Sequence, residues 1–174
     1  MAEFNEFATP KVETKRFKIY ADVGTGGSPE WELQGRGVES WTVEENNDVE
    51  KKTDVLGIVD MERGIPQPTQ SGVEVKLRKG SKLGQLLFDA FYTRDYSKLN
   101  ALKILQKFEF ADGKTEGTCL ARLEEDVMLA VNSFTGEAGS YLGFEIDIHY
   151  ANKTTTGTMP KEDGETIEFT PDEN

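Results

Sequence analysis

The chain has 174 residues, enough for one domain that buries about 70% of the surface its unfolded form exposes. Its 32 acidic residues outnumber 20 basic ones, giving a net charge of −12, and a surface of that sign repels nucleic acid and anionic membranes. One cysteine, Cys119, and one histidine, His149, exclude an intramolecular disulfide framework and a Cys/His zinc set, which suits a reducing compartment. No apolar run has the length of a signal peptide at the start or of a membrane span anywhere, so the expectation is a soluble protein without a standard export signal.

Residues 1–14 carry Phe4 and Phe7 but no clear period, and read as an arm that stays mobile until something binds it. Phe17, Ile19 and Ala21 then alternate with Lys18 and Tyr20 in a first strand ending at the loop GTGGSP, 24–29. That loop lacks the spaced third glycine and the Lys-Ser/Thr of a phosphate cradle, so it reads as a turn. Trp31 and Leu33 lead through Gly35 and Gly37 to a strand over 38–45, the turn Asn46-Asn47-Asp48, and a second strand from about 51 to 57. The passage 58–72, IVDMERGIPQPTQSG, holds two prolines and two glycines and reads as the longest irregular stretch, expected to be mobile in the monomer and ordered by a partner.

Val73, Val75 and Leu77 alternate with Glu74, Lys76 and Arg78 in the next strand. Ser81 offers an N-cap to a helix whose Leu83, Leu86, Leu87, Ala90 and Phe91 form one apolar stripe. Leu102, Ile104, Phe108 and Phe110 favour a strand over 99–110, closed by the hairpin turn Asp112-Gly113. The returning run places Ala121, Leu123, Val127, Leu129 and Val131 on one face and Arg122, Glu124 and Asp126 on the other, with Glu125 marking a bulge or a join. A turn at 136–139 precedes a strand over 140–151, and a last hairpin pairs 154–159 with 165–170 around Asp163-Gly164 before the acidic tail 171–174. Roughly nine strands and one helix predict a mainly β fold, a β-sandwich or small barrel of two packed sheets flanked by one helix. The domain plan is an arm over 1–14, a single β-sandwich domain over 15–170 with a long loop at about 54–72, and the tail.

The strand over 140–151 is the sharpest pattern. Leu142, Phe144, Ile146, Ile148 and Tyr150 share one face, while Glu145, Asp147 and His149 share the other. Alternate strand residues lie ~7 Å apart, too far for all three to meet one metal ion without a bend. Cys119 and His149 fall on separate strands, which leaves nucleophilic catalysis a thin case. No catalytic, cofactor-binding or metal-binding residue is therefore assigned. Trp31, Trp41 and Tyr20 supply the alternative of an aromatic platform in a β-sandwich module that binds carbohydrate or peptide, although core or inter-subunit packing is the favoured explanation of them. Asn152-Lys153-Thr154 matches a glycosylation acceptor that has no use without export.

From about 15 to 170 the chain resembles the major tail tube proteins of long-tailed, non-contractile bacteriophages and related prophages. The likeness is carried by Trp41-Thr42-Val43-Glu44, by Thr53-Asp54-Val55-Leu56-Gly57, by Ala130-Val131-Asn132-Ser133-Phe134-Thr135-Gly136, and by Gly157-Thr158-Met159 with Thr166-Ile167-Glu168-Phe169-Thr170. The resemblance implies two packed sheets flanked by a helix and no enzymatic activity. It further implies homo-hexameric rings that stack into the hollow tube of a virion tail, assembled in the host cytoplasm and passing DNA without tight binding. A tape-measure protein and tail-end proteins are the implied partners, and no membrane is involved. The inner tube of a contractile tail or of a bacteriocin-like particle is the neighbouring alternative.

In such relatives the long early loop reaches the next ring and the terminal arms add contacts. Carried here, that role falls on 54–70, with Asp54, Leu56, Ile58, Asp60, Met61, Arg63 and Ile65, and on Phe4 and Phe7 of the arm. A conduit for DNA must not hold it. Each phosphate neutralised by Lys or Arg adds binding free energy through counterion release, whereas carboxylates within roughly 8 Å repel. Glu145 and Asp147, with Glu124 and Asp126, are therefore expected to face the bore while Phe144, Ile146 and Ile148 pack inward.

Overall fold

The structure is a computed structural model that describes residues 3–9, 11–24, 27–34, 42–47, 49–53, 55–136, 141–164 and 166–172, with the backbone alone at 50 and 59–62. The strands are β1 (Phe17–Asp22), β2 (Trp31–Leu33), β3 (Val43–Glu44), β4 (Val49–Thr53), β5 (Val59–Arg63) and β6 (Thr69–Lys76). After the helix α1 (Lys82–Thr93) come β7 (Leu102–Asp112), β8 (Thr118–Gly136), β9 (Leu142–His149), β10 (Lys153–Pro160) and β11 (Thr170–Pro171). The fold is mainly β, antiparallel and sandwich-like, with one helix on its flank.

Two sheets share the 19-residue strand β8. Its first half lies between β7 and β10, in a sheet that continues through β1 to β2. Its second half pairs with β9, which is followed by β6 and the short β3. The pivot is Asp126, in the left-handed region at φ 57, where the register against β7 slips between Leu102 and Ile104. One extra residue in a strand exchanges its two faces. Ala121 and Leu123 consequently pack into a smaller core with Tyr20, Leu105, Cys119 and Met159, whereas Val127, Leu129 and Val131 pack into the larger one. This corrects the expectation of one shared face; the break foreseen at Glu125 falls one residue later.

The larger core lies between α1 and the sheet β8-β9-β6, where Leu83, Leu87 and Ala90 meet Val127, Leu129, Phe144, Ile146 and Ile148. Burial of each such leucine or isoleucine stabilises the fold by about 1.5–3 kcal/mol. The helix begins where expected, with the Ser81 hydroxyl accepting from Gly84 N at 3.0 Å. Its N-terminus carries a second acceptor, the Glu32 carboxylate of β2, which takes hydrogen bonds from Ser81 Oγ at 2.8 Å, Lys82 N at 2.8 Å and Leu83 N at 2.9 Å. A carboxylate there satisfies orphan amides and suits the positive end of the helix dipole.

The smaller core is roofed by Ile167 and Phe169. The roof is pinned by Asp163, which accepts from the buried Lys107 ammonium at 2.8 Å, and by the Lys161 carbonyl at 3.1 Å from the same nitrogen. Among the described residues after Asp163 only Thr170–Pro171 pairs with β10, so the strand expected over 165–170 is confined to its end.

Three further expectations change. The passage 58–72 is not irregular: 59–63 pairs with Val49–Thr53 in a two-stranded ribbon and β6 begins at Thr69, leaving only 64–68 as connection. Both prolines fall in that connection, and Gly57, at φ 78, supplies the positive φ near the ribbon's turn. The expectation of a mobile loop rested on the irregularity and loses that support. Second, β3 and β4 on either side of Asn46 are not partners, since β3 pairs with β6. Of the strand expected over 38–45, residues 38–41 lie outside the described residues, as do Asp48 and the turn at 137–139. Third, the arm is docked within the chain. Phe4 bridges Ala111, Asn5 N donates to Phe110 O at 3.0 Å, and Arg16 sits 3.7 Å over the Phe7 ring.

Candidate functional site: an acidic sheet face

The sheet β8-β9-β6 has one apolar and one acidic face, set by the strict alternation of β9. Phe144, Ile146 and Ile148 are buried against α1, Glu145 and Asp147 are half-buried, and His149 is exposed. Strand pairing then adds neighbours. Glu145 lies across from Glu74 on β6 and from Ser133 on β8, whose hydroxyl donates to it at 3.4 Å. Asp147 lies across from Ala130, and its Oδ1 accepts from Gly72 N at 2.9 Å. Gly72 belongs to a bulge in β6 and adopts φ 67, so the backbone amide that holds Asp147 depends on a glycine conformation. Hydrogen bonds from the Asn132 side chain and from Gly72 hold the Asp147 carboxyl below its ordinary value, which keeps it ionised.

Glu74 and Glu145 face each other directly, a pairing that costs stability in a sheet. A row of carboxylates with a directly opposed like-charge pair is poorly suited to hold a polyanion. Among the described residues no group of three His, Cys, Asp or Glu side chains is placed to hold a metal ion.

The expected acidic quartet divides. Glu145 and Asp147 share the face, and Glu74 joins them although the sequence reading left it out; its place opposite Val73 and Val75 was legible, but its partner Glu145 required the register. Glu124 is not on this face, which is a correction. It is only 5% exposed, and its carboxylate accepts from Thr154 Oγ1 at 2.7 Å and pairs with Arg122 Nε at 2.8 Å. The bulge explains the separation, because Glu124 precedes the point where the faces of β8 exchange. Asp126 is exposed at the bulge itself and pairs with Lys153 at 3.2 Å.

Over most of their length both edges of the acidic sheet lack an outer strand partner among the described residues, the short β3 covering only the start of β6. Beyond Val127, β8 pairs only with β9, and beyond Gln70, β6 pairs only with β9. Of the expected contact residues, Leu56 (79% exposed) and Ile58 lie at the ribbon's turn beside the fully exposed Val55, and Ile65 is exposed in the connection to β6. Arg63, Asp60 and Met61 are on β5, the latter two with backbone alone described, and Asp54 lies outside the described residues. Phe4 is exposed and Phe7 half-buried beside β7.

The aromatic platform does not form from the residues described. Tyr20 is buried in the smaller core and Trp31 packs against it, while Trp41 lies outside the described residues. Cys119 is buried, its thiol pushed up to about 11 by that burial, so it is poorly suited to act as a nucleophile at neutral pH.

No family model matches the chain, and no curated protein does. Solved structures do. A chain of the sheath/tube terminator of an extracellular contractile injection system (PVC) in its extended state is similar with a TM-score of 0.52 at 14% identity, covering 83% of this chain and 94% of that one. The tube-terminating cap of the anti-feeding prophage gives a TM-score of 0.49 at 13% identity over 84% and 90% of the two chains. The PVC sheath-tube complex gives 0.48 at 13% over 83% and 89%. At these identities what the first likeness establishes is a shared fold.

Proposed function

We propose that this chain is a structural, self-associating subunit of the tube of a phage-tail-like particle, in which copies close side by side into rings and the rings stack into a hollow conduit for DNA. The observation that carries the reading is the sheet β8-β9-β6: apolar on one face, acidic on the other, and, among the described residues, without an outer strand partner on β8 beyond Val127 and on β6 beyond Gln70. Joining the free edge of β8 in one copy to the free edge of β6 in the next is a heterologous contact that closes a ring and satisfies the exposed backbone groups. The continuous sheet so formed presents Glu74, Glu145 and Asp147 to the bore, where they repel a passing duplex.

The ribbon β4-β5 supplies the second, non-closing contact between rings, with Leu56 and Ile58 at its turn. The fold shared with the contractile-system terminator supports the tube reading, and the resemblance in sequence points to long non-contractile tails. A tape-measure protein within the tube and closing proteins at its ends complete the proposed partners. The chemistry of the described residues gives no reason to assign a catalytic role.

Light scattering over a range of protein concentrations, followed by negative-stain microscopy, tests the proposal. Rings or tubes with an open centre are expected. A chain that remains monomeric at every concentration and salt overturns it.

A further inference from the structure

The ribbon and an apolar groove lie at opposite ends of the acidic sheet. The ribbon's base is tied where β6 begins and β9 ends: Thr69 pairs with His149, Asn46 Nδ2 donates to Gln67 O at 2.9 Å, Tyr150 N donates to Pro68 O at 3.1 Å, and Asn152 donates to Pro66 O. At the other end Lys76 pairs with Gly143, and Leu77 N donates to Leu142 O at 2.8 Å. The eight residues of β9 separate the two ends by roughly 23 Å at about 3.3 Å per step. There, between the end of β6 and α1, a groove of about 350 Å³ is lined by Leu77, Gly84, Gln85 and Phe88, with Arg78 and Asp89 among its walls. Gly84 lets α1 pack closely there, since a Cβ would stand 3.1 Å from Ser81 Oγ and 3.3 Å from the Leu77 side chain. On the same helix Phe88 stacks on the exposed Tyr92 at 6.2 Å, extending the apolar surface outward.

We infer that this groove is the receptor for the exposed residues 55–58 of the ribbon's turn of a second copy. The inference rests on the reading of the chain as an end-to-end polymer and names the surface that reading leaves unassigned. Two observations select this occupant. First, the turn presents Val55, Leu56 and Ile58 to solvent, and a volume more than twice the ~150 Å³ that accommodates a benzene ring takes two such side chains. Second, donor and receptor sit at opposite ends of one sheet, so a shift along the strands brings one onto the other and can repeat without limit, the requirement for a stack. Exposed aromatic and aliphatic side chains grouped around a cleft mark an interaction surface.

Cysteine cross-linking on the full chain tests the contact. Leu56→Cys and Gln85→Cys both change exposed positions, and the native Cys119 is buried at 0% exposure and stays silent. After association is confirmed by light scattering, mild oxidation with added copper phenanthroline is expected to give a covalent dimer from the mixture of single variants and neither variant alone. The double variant is expected to give a ladder of multimers. Phe88→Asp is expected to leave single rings while reducing stacking at least tenfold. Associated particles that form no bond between the two cysteines, or that stack normally with Phe88→Asp, overturn this inference and leave the tube reading standing. Absence of association in the unmodified chain overturns both.

Discussion

Glu145→Lys probes the acidic face in the isolated chain and in the assembly. Glu145 stands directly across from Glu74 in the β6-β9 ladder. Two carboxylates ~6 Å apart repel by roughly 0.7 kcal/mol in water, reduced to about 0.3 kcal/mol at physiological salt. Lysine converts that repulsion into an attraction of similar size and loses only the long 3.4 Å contact to Ser133. The monomer should therefore gain about 0.2–1 kcal/mol, read as a raised urea midpoint whose gain shrinks in high salt. In the proposed assembly the same change would place a cation where a phosphate passes. One contact per copy, repeated around the proposed ring of about six, would give a slope of log affinity on log salt near −5, or about a thousandfold loss of DNA binding between 50 and 200 mM salt. Co-sedimentation of short duplex DNA with polymerised protein measures this directly. The reasoning fails if the variant lowers the urea midpoint, if its polymers retain no more DNA than the unmodified chain, or if Glu116→Lys, an exposed position on the β7-β8 turn, has an equal effect.

Other consequences follow from single contacts. Glu32→Ala removes the acceptor shared by Ser81, Lys82 and Leu83 and frees β2 from α1; a loss of about 1–2 kcal/mol is expected in urea unfolding, and an unchanged midpoint would show the cap to be idle. Burial opposes ionisation of Asp163, but hydrogen bonds from Lys107 and Lys18 outweigh it and hold the carboxyl below its ordinary 3.8. A carboxyl depressed in the folded state contributes stability that is complete above its unfolded value and is lost as pH falls through the folded one. Stability should therefore decline on acidification below about pH 4, with a shallower acid limb in Asp163→Asn, and identical limbs would refute the assignment. Gly157→Ala would place a Cβ 2.3 Å from Thr170 O and 2.7 Å from the Phe169 ring. It should lift the roof of the smaller core at a cost of about 1–3 kcal/mol, and faster proteolysis at 161–169 reports the opening.

Much of the fold was legible because it depends on short-range order. The helix could be read from Ser81 and a stripe of period 3.6, and β9 from an alternation that burial follows residue by residue. The ribbon was missed for an instructive reason: 59–63 alternates weakly, and Pro66 and Pro68 drew the whole passage toward irregularity although they fall outside both strands. Glu124 was misplaced because alternation was extended through Asp126, whose left-handed backbone exchanges the faces of β8. The arm and the segment over 166–169 were beyond pattern reading altogether, since each is held by contacts with residues distant in the chain.

The sequence by itself determined the class of the molecule: a mainly β domain, one flanking helix, a strongly negative surface, and a strand whose two faces must meet different surroundings. These are properties of composition and of periodicity over a few residues, where the chemistry of one side chain and its neighbours suffices. Tertiary structure alone decided which carboxylates share a face, that Glu74 opposes Glu145, that over most of their length both edges of their sheet lack an outer strand partner among the described residues, and that the ribbon and the groove lie at its opposite ends. Each of these is a matter of register and of long-range pairing, and a shift of one residue at a bulge reverses the answer without altering local preference anywhere in the chain.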